Sequence, residues 1–129
     1  MKTLVSVVMS IMVLGVFAQE PVKKEFYKDG TLKAEYVLNS ETSIWASFYH
    51  PNGTVREMGK YEEGKPDGFW QSWDQEGSKL CEAHYSHGVK DGKWLFWKDQ
   101  GSTQYEVHYD DNEIVNTLKW VRSEVVLED

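Results

Sequence analysis

Beyond the first twenty residues, apolar side chains come in short runs cut by glycine and asparagine rather than at one steady helical spacing. Trp70 to Trp73 is short and aromatic, Asp74-Gln75-Glu76-Gly77 breaks it, and a second run from Lys79 to Tyr85 follows. Such runs, bounded by turn residues, predict strands paired as β-hairpins. Lys28-Asp29-Gly30 and Pro51-Asn52-Gly53 are turn signals of the same kind.

The pattern repeats. Gly68, Trp70, Trp73 and Gly77 return as Gly92, Trp94, Trp97 and Gly101, a period of 24 residues. Tyr61, Tyr85 and Tyr109 keep that period, as do Gly53, Gly77 and Gly101. A fixed period of this length signals a repeat architecture in which each unit leans on the next. Two further columns run Gly64, Gly88, Asn112 and Gly68, Gly92, Asn116. Asparagine is the side chain that best tolerates positive φ, so both columns predict left-handed turn positions. Earlier units are looser, with Trp45, Tyr49 and Gly53 in one and Phe26 and Gly30 in a partial first. The expected fold is all-β, an antiparallel meander of hairpin repeats.

The two ends read differently. Met1-Lys2, the apolar stretch Leu4 to Phe17 and the small residues at Val16 and Ala18 have the layout of a secretory signal peptide. Cleavage after about Ala18 is expected, leaving 19–129 as one repeat domain in the periplasm or outside the cell. The stretch falls short of the roughly 20 residues that span a bilayer as a helix, and an uncleaved anchor is the alternative. At the other end, Ile114, Leu118, Val121 and Val125 follow helical spacing, whereas Thr117, Val121, Val125 and Val126 are β-branched. Residues 114–127 therefore stay open between a short terminal helix and a strand. Either would cover the last sheet edge.

Composition narrows the partners. Asp and Glu number 21 against 14 Lys and Arg, a net charge of −7, which argues against nucleic acid and against docking on anionic lipid. The single cysteine, Cys81, excludes an internal disulfide and reads as a small apolar residue rather than a nucleophile. His84 and His108 lie one period apart, with His87 close in sequence, and could approach each other; exposed strand histidines are the plainer reading. Asp110-Asp111-Asn112-Glu113 is acidic but lacks the ligand spacing of a calcium loop. Asn52-Gly53-Thr54 fits a glycosylation acceptor, relevant only in a eukaryotic secretory host. Glu62, Glu63, Asp67 and Asp91 fall at turns. No catalytic, metal-binding or cofactor-binding residue is predicted.

The aromatics, 14% of the chain with six Trp, are the unusual feature. Trp70, Trp73, Trp94 and Trp97 form a candidate binding surface, with structural packing as the competing reading. Trp70 and Trp73, three apart, face opposite sides of a flat strand unless a bulge realigns them.

The motif Gly-x-Trp-x-x-Trp-x-x-x-Gly followed by Tyr-x-x-Gly-x-x-x-Gly resembles the MORN-variant repeat, and is similar to the bacterial YwqK-like antitoxin-type group. Trp70, Trp73, Gly77, Tyr85, Gly88 and Gly92 carry one unit, and Trp94, Trp97, Gly101 and Tyr109 the next. The resemblance spans about residues 25–116. It implies a hairpin-repeat sheet acting as an interaction scaffold without a catalytic motif, and the group's label implies toxin binding. The expected function is an exported scaffold for a protein partner; the alternative is a carbohydrate or cell-wall binder using exposed Trp.

Overall fold

The computed structural model describes residues 21–122; the expected signal peptide and the last residues of the 114–127 segment lie outside them. Ten strands form one antiparallel sheet: β1 (Lys23–Phe26), β2 (Leu32–Leu38), β3 (Ser43–Tyr49), β4 (Val55–Glu62), β5 (Lys65–Trp73), β6 (Lys79–Ser86), β7 (Val89–Lys90), β8 (Gly92–Lys98), β9 (Thr103–Asp110) and β10 (Glu113–Val121). Each pairs with its sequence neighbours, except that both β7 and β8 pair with β6. They are an interrupted version of the single strand β5, one period earlier. The all-β meander expected from the repeat is the fold.

Two kinds of turn alternate. Tyr27–Thr31, His50–Thr54 and Asp74–Ser78 close with one hydrogen-bond pattern: the N–H of Tyr27, His50 or Asp74 donates to the carbonyl of Thr31, Thr54 or Ser78. Gly30, Gly53 and Gly77 hold φ between +87° and +89° in these turns. Beside each the register slips, leaving Lys33, Arg56 and Leu80 as bulge residues. Three others are two residues long, while β2 and β3 are joined by the four residues 39–42 and β8 and β9 by a short 3-10 turn at Asp99–Gly101. Glu63-Gly64, His87-Gly88 and Asp111-Asn112 all have positive φ, as a type I′ hairpin requires. Gly64, Gly88 and Asn112 are thus the left-handed column the exchange predicted.

The second column holds only in part. Gly68 and Gly92 take φ of +72° and +71°, whereas Asn116 has no positive φ. Between Ile114 and Asn116 the pairing skips one residue, Val115; between Met58 and Lys60 it sets three residues of the facing strand, Gly68 to Trp70, against Gly59 alone. The last hairpin therefore needs no left-handed residue at 116. The terminal segment, open between helix and strand, is a strand over Glu113–Val121; its β-branched residues and the pairing offered by β9 outweigh the helical spacing.

Packing lies along one face. Ala34, Ala46, Trp70, Ala83, Trp94 and Val107 are buried, with Tyr36, Phe48, Tyr61, Cys81, Tyr85, Phe96 and Tyr109 packed around them. Their rings meet edge to face in sequence. Tyr61 to Trp70 is 5.0 Å, Trp70 to Tyr85 6.5 Å, Tyr85 to Trp94 5.0 Å and Trp94 to Tyr109 5.2 Å. Such pairs add about 0.5–1.5 kcal/mol each beyond area burial. With a single layer, this aromatic face does the work of a core.

Candidate interaction surface

Register decides which Trp is which. Trp70 pairs with Ala83 and Trp73 with Lys79, and the Lys79 ammonium reaches the Glu82 carboxylate. Glu82 lies on the side of the sheet opposite Ala83, so Trp73 does too. Trp70 and Trp94 are 4% and 5% exposed. Each indole N–H is satisfied by the adjoining strand: Trp70 Nε1 donates to the Lys60 carbonyl at 3.1 Å and Trp94 Nε1 to the His84 carbonyl at 2.9 Å. Trp73 and Trp97 are half-buried on the opposite face, where the Lys79 ammonium stands over the Trp97 ring at 5.7 Å.

The opposite face carries a second apolar group that sequence reasoning did not single out as a surface. Trp45, Met58 and Phe69 are 47%, 40% and 49% exposed on the adjoining strands β3, β4 and β5. With Gly59 and Gln71 they line an open groove of about 180 Å³. A signal existed in the repeat itself. Phe69 stands where the next unit has Lys93, and Met58 where later units have Glu82 and Glu106. Apolar residues left largely exposed at positions that are charged in sister units mark a local departure from the structural pattern.

Around the groove the charges are paired. Lys60 bridges Asp67 at 3.3 Å and Glu62 at 3.9 Å. Asp67 also accepts the His87 N–H, which is the main reason its carboxyl titrates below the usual range. At the far side, the Tyr49 hydroxyl donates to Glu35 at 2.7 Å. Burial, with the Glu35 carboxylate beside it, raises the Tyr49 pKa.

The remaining candidates are accounted for by packing. Cys81 sits on the aromatic face between Ser72 and Phe96, where burial pushes its thiol up to about 11, the reverse of nucleophile activation. Glu57 shares that face, paired with Phe48 and Ser72, and desolvation raises its carboxyl pKa. His84 and His108 are separated by β8, whose Lys93 pairs with His108; His108 instead meets Glu106 at 2.6 Å. Asn112 Oδ1 accepts the Lys90 N–H, so the acidic turn uses its amide within the fold. Asn52 likewise accepts from Thr54 and donates to the Gln75 carbonyl. Among the described residues, no group of three or more His, Cys, Asp or Glu could hold a metal ion, and no helix is long and apolar enough to cross a membrane.

These features define an open, single-layer antiparallel repeat sheet with a packed aromatic face and an apolar groove on the other. No protein-family model and no curated protein matches the chain.

Proposed function

We propose that this chain is an exported, non-catalytic scaffold of the MORN-variant kind that binds a protein partner through the face carrying Trp45, Met58 and Phe69. The exposure of those three side chains on adjoining strands is the observation that carries the reading. A groove of large apolar residues with charged neighbours has the composition of a binding hot spot and its rim. Trp73 and Trp97 extend the same face, while Trp70 and Trp94 support it from behind. The absence of catalysis rests on the carboxylates: Asp67 is held by His87 and Lys60, and Glu62 accepts the Thr42 hydroxyl and neighbours Lys60. Export rests on the leader alone.

The test is capture from the exported fraction with the chain as bait, comparing wild type with Trp45→Ser and Phe69→Ser. Retention of the same partner by both folded variants would sink the assignment to this face. N-terminal sequencing of the exported chain should begin near Gln19.

A second reading, a cell-wall glycan binder, draws on the exposure of the Trp45 and Trp120 rings, since aromatic faces stack on sugars. Glycan addition would then shift Trp fluorescence in wild type and not in Trp45→Ala. No shift across a panel of cell-wall fragments removes this reading.

A further inference from the structure

The two edges of the sheet are built differently. β1 is four residues long and begins Lys23-Lys24, a short charged edge of the kind that discourages pairing. β10 has nine residues, all exposed, with Ile114, Val115, Leu118, Trp120 and Val121 among them. Among the described residues, nothing pairs with its outer side.

Backbone polarity along β10 follows from one bond. The Arg122 N–H donates to the Ser102 carbonyl, and β9 and β10 pair in constant register from Asn116 to Val121. By antiparallel alternation, Asn116, Leu118 and Trp120 turn their N–H and C=O groups towards β9, and Thr117, Lys119 and Val121 turn theirs outward. Among the described residues nothing bonds this outer row, which leaves it open to another strand.

We infer that β10 pairs antiparallel with β10 of a second copy, across a twofold axis at Leu118, joining two sheets into one. Three observations select this occupant and register. First, β10 runs parallel to β1, because eight antiparallel steps along β1-β2-β3-β4-β5-β6-β8-β9-β10 separate them. Head-to-tail stacking of β10 on β1 would break the antiparallel order, whereas β10 against β10 continues it and closes after two copies. Second, with Leu118 facing its own copy, the outward groups of Thr117 meet those of Lys119 on the other chain. Third, the side chains match. The bulge at Val115 brings Ile114 opposite Val121, and Glu113 opposite Arg122, at both ends of the paired segment. A register centred on Lys119 would instead set two ammonium groups face to face.

The test measures mass against concentration for the purified full-length chain by sedimentation. A monomer–dimer equilibrium is expected, and a chain that stays monomeric overturns the inference. Thr117→Pro removes an N–H that the fold does not use and blocks the outer edge. It should abolish the dimer with circular dichroism and thermal transition retained. A folded Thr117→Pro chain that still dimerises also overturns the inference. Arg122→Glu should weaken the dimer about tenfold, and adding Glu113→Arg should restore it. Failure of the double variant to recover rules out this register. In a Cys81→Ser background, mild oxidation should link Leu118→Cys to its own copy. Trp120→Cys, which would face Asn116 of the other copy, should stay unlinked. The reverse pattern overturns the Leu118 axis.

Discussion

The indole of Trp70 lies against the bare Cα of Gly59, where a β-carbon would overlap ring atoms Cγ, Cδ2 and Cε2. Gly59 pairs with Ala46, so the ring rests on two of the smallest residues in the sheet. Gly59→Ala should therefore destabilise by about 1–3 kcal/mol through overpacking, read as a lower denaturant midpoint. Adding Trp70→Phe, a smaller ring, should recover part of the loss, because the two sites share one contact.

Trp94 separates packing from hydrogen bonding. Trp94→Phe keeps an aromatic ring but leaves the His84 carbonyl without its indole partner, which should cost about 1 kcal/mol. Trp94→Ala opens the packed row as well and should cost about 3–5 kcal/mol. Phe69→Ser, on the open groove, should stay within about 0.5 kcal/mol. Chemical denaturation of the three variants ranks them directly.

Two carboxylates give opposite pH signatures. Desolvation raises the Glu57 pKa in the folded chain. Its favourable contribution is full below the unfolded carboxyl value and is lost as pH rises through the folded one. Glu57→Gln should thus raise the melting temperature at pH 7, and the gain should vanish in acid. The Asp67 pKa is lowered by the His87 N–H. Its contribution is present above the unfolded value and is lost as pH falls through the folded one. Asp67→Asn should lower the melting temperature at pH 7 and converge with wild type in acid. Thermal melts followed from neutral pH down through the acid range decide both.

Cys81 should be a slow thiol. With its pKa pushed up to about 11, the thiolate fraction at pH 8 is smaller by about a hundredfold than that of an unfolded cysteine. Alkylation should be slow in buffer and accelerate sharply in denaturant. Equal rates in both would contradict the burial of this side chain.

The sequence carried much of this architecture because its period acts on the backbone directly. Gly64, Gly88 and Asn112 share a left-handed turn, and any residue with a bulkier, less tolerant side chain would strain it. Trp70 and Trp73 sit on opposite faces because three is an odd number of strand steps. What stayed illegible depends on slips in register. The skipped residue at Val115 frees Asn116 from the left-handed role of Gly68 and Gly92. The repeat marks Met58 and Phe69 as apolar where sister units are charged, but that they meet Trp45 in one groove appears only once three strands are set side by side. The terminal segment set a helical spacing against β-branched side chains, and pairing with β9 decided for the strand.

The turn tips carry one more relationship. The Gly88 N–H donates to the Pro66 carbonyl and the Asn112 N–H to the Lys90 carbonyl, each turn holding the one before it. The last two units are thereby each fastened to the unit before by bonds one period apart. Each period adds two strands, roughly 10 Å of sheet at the usual strand spacing. The molecule is in effect a ruler graduated in whole units, and insertion or loss of one period would alter its reach while leaving its kinds of joint unchanged.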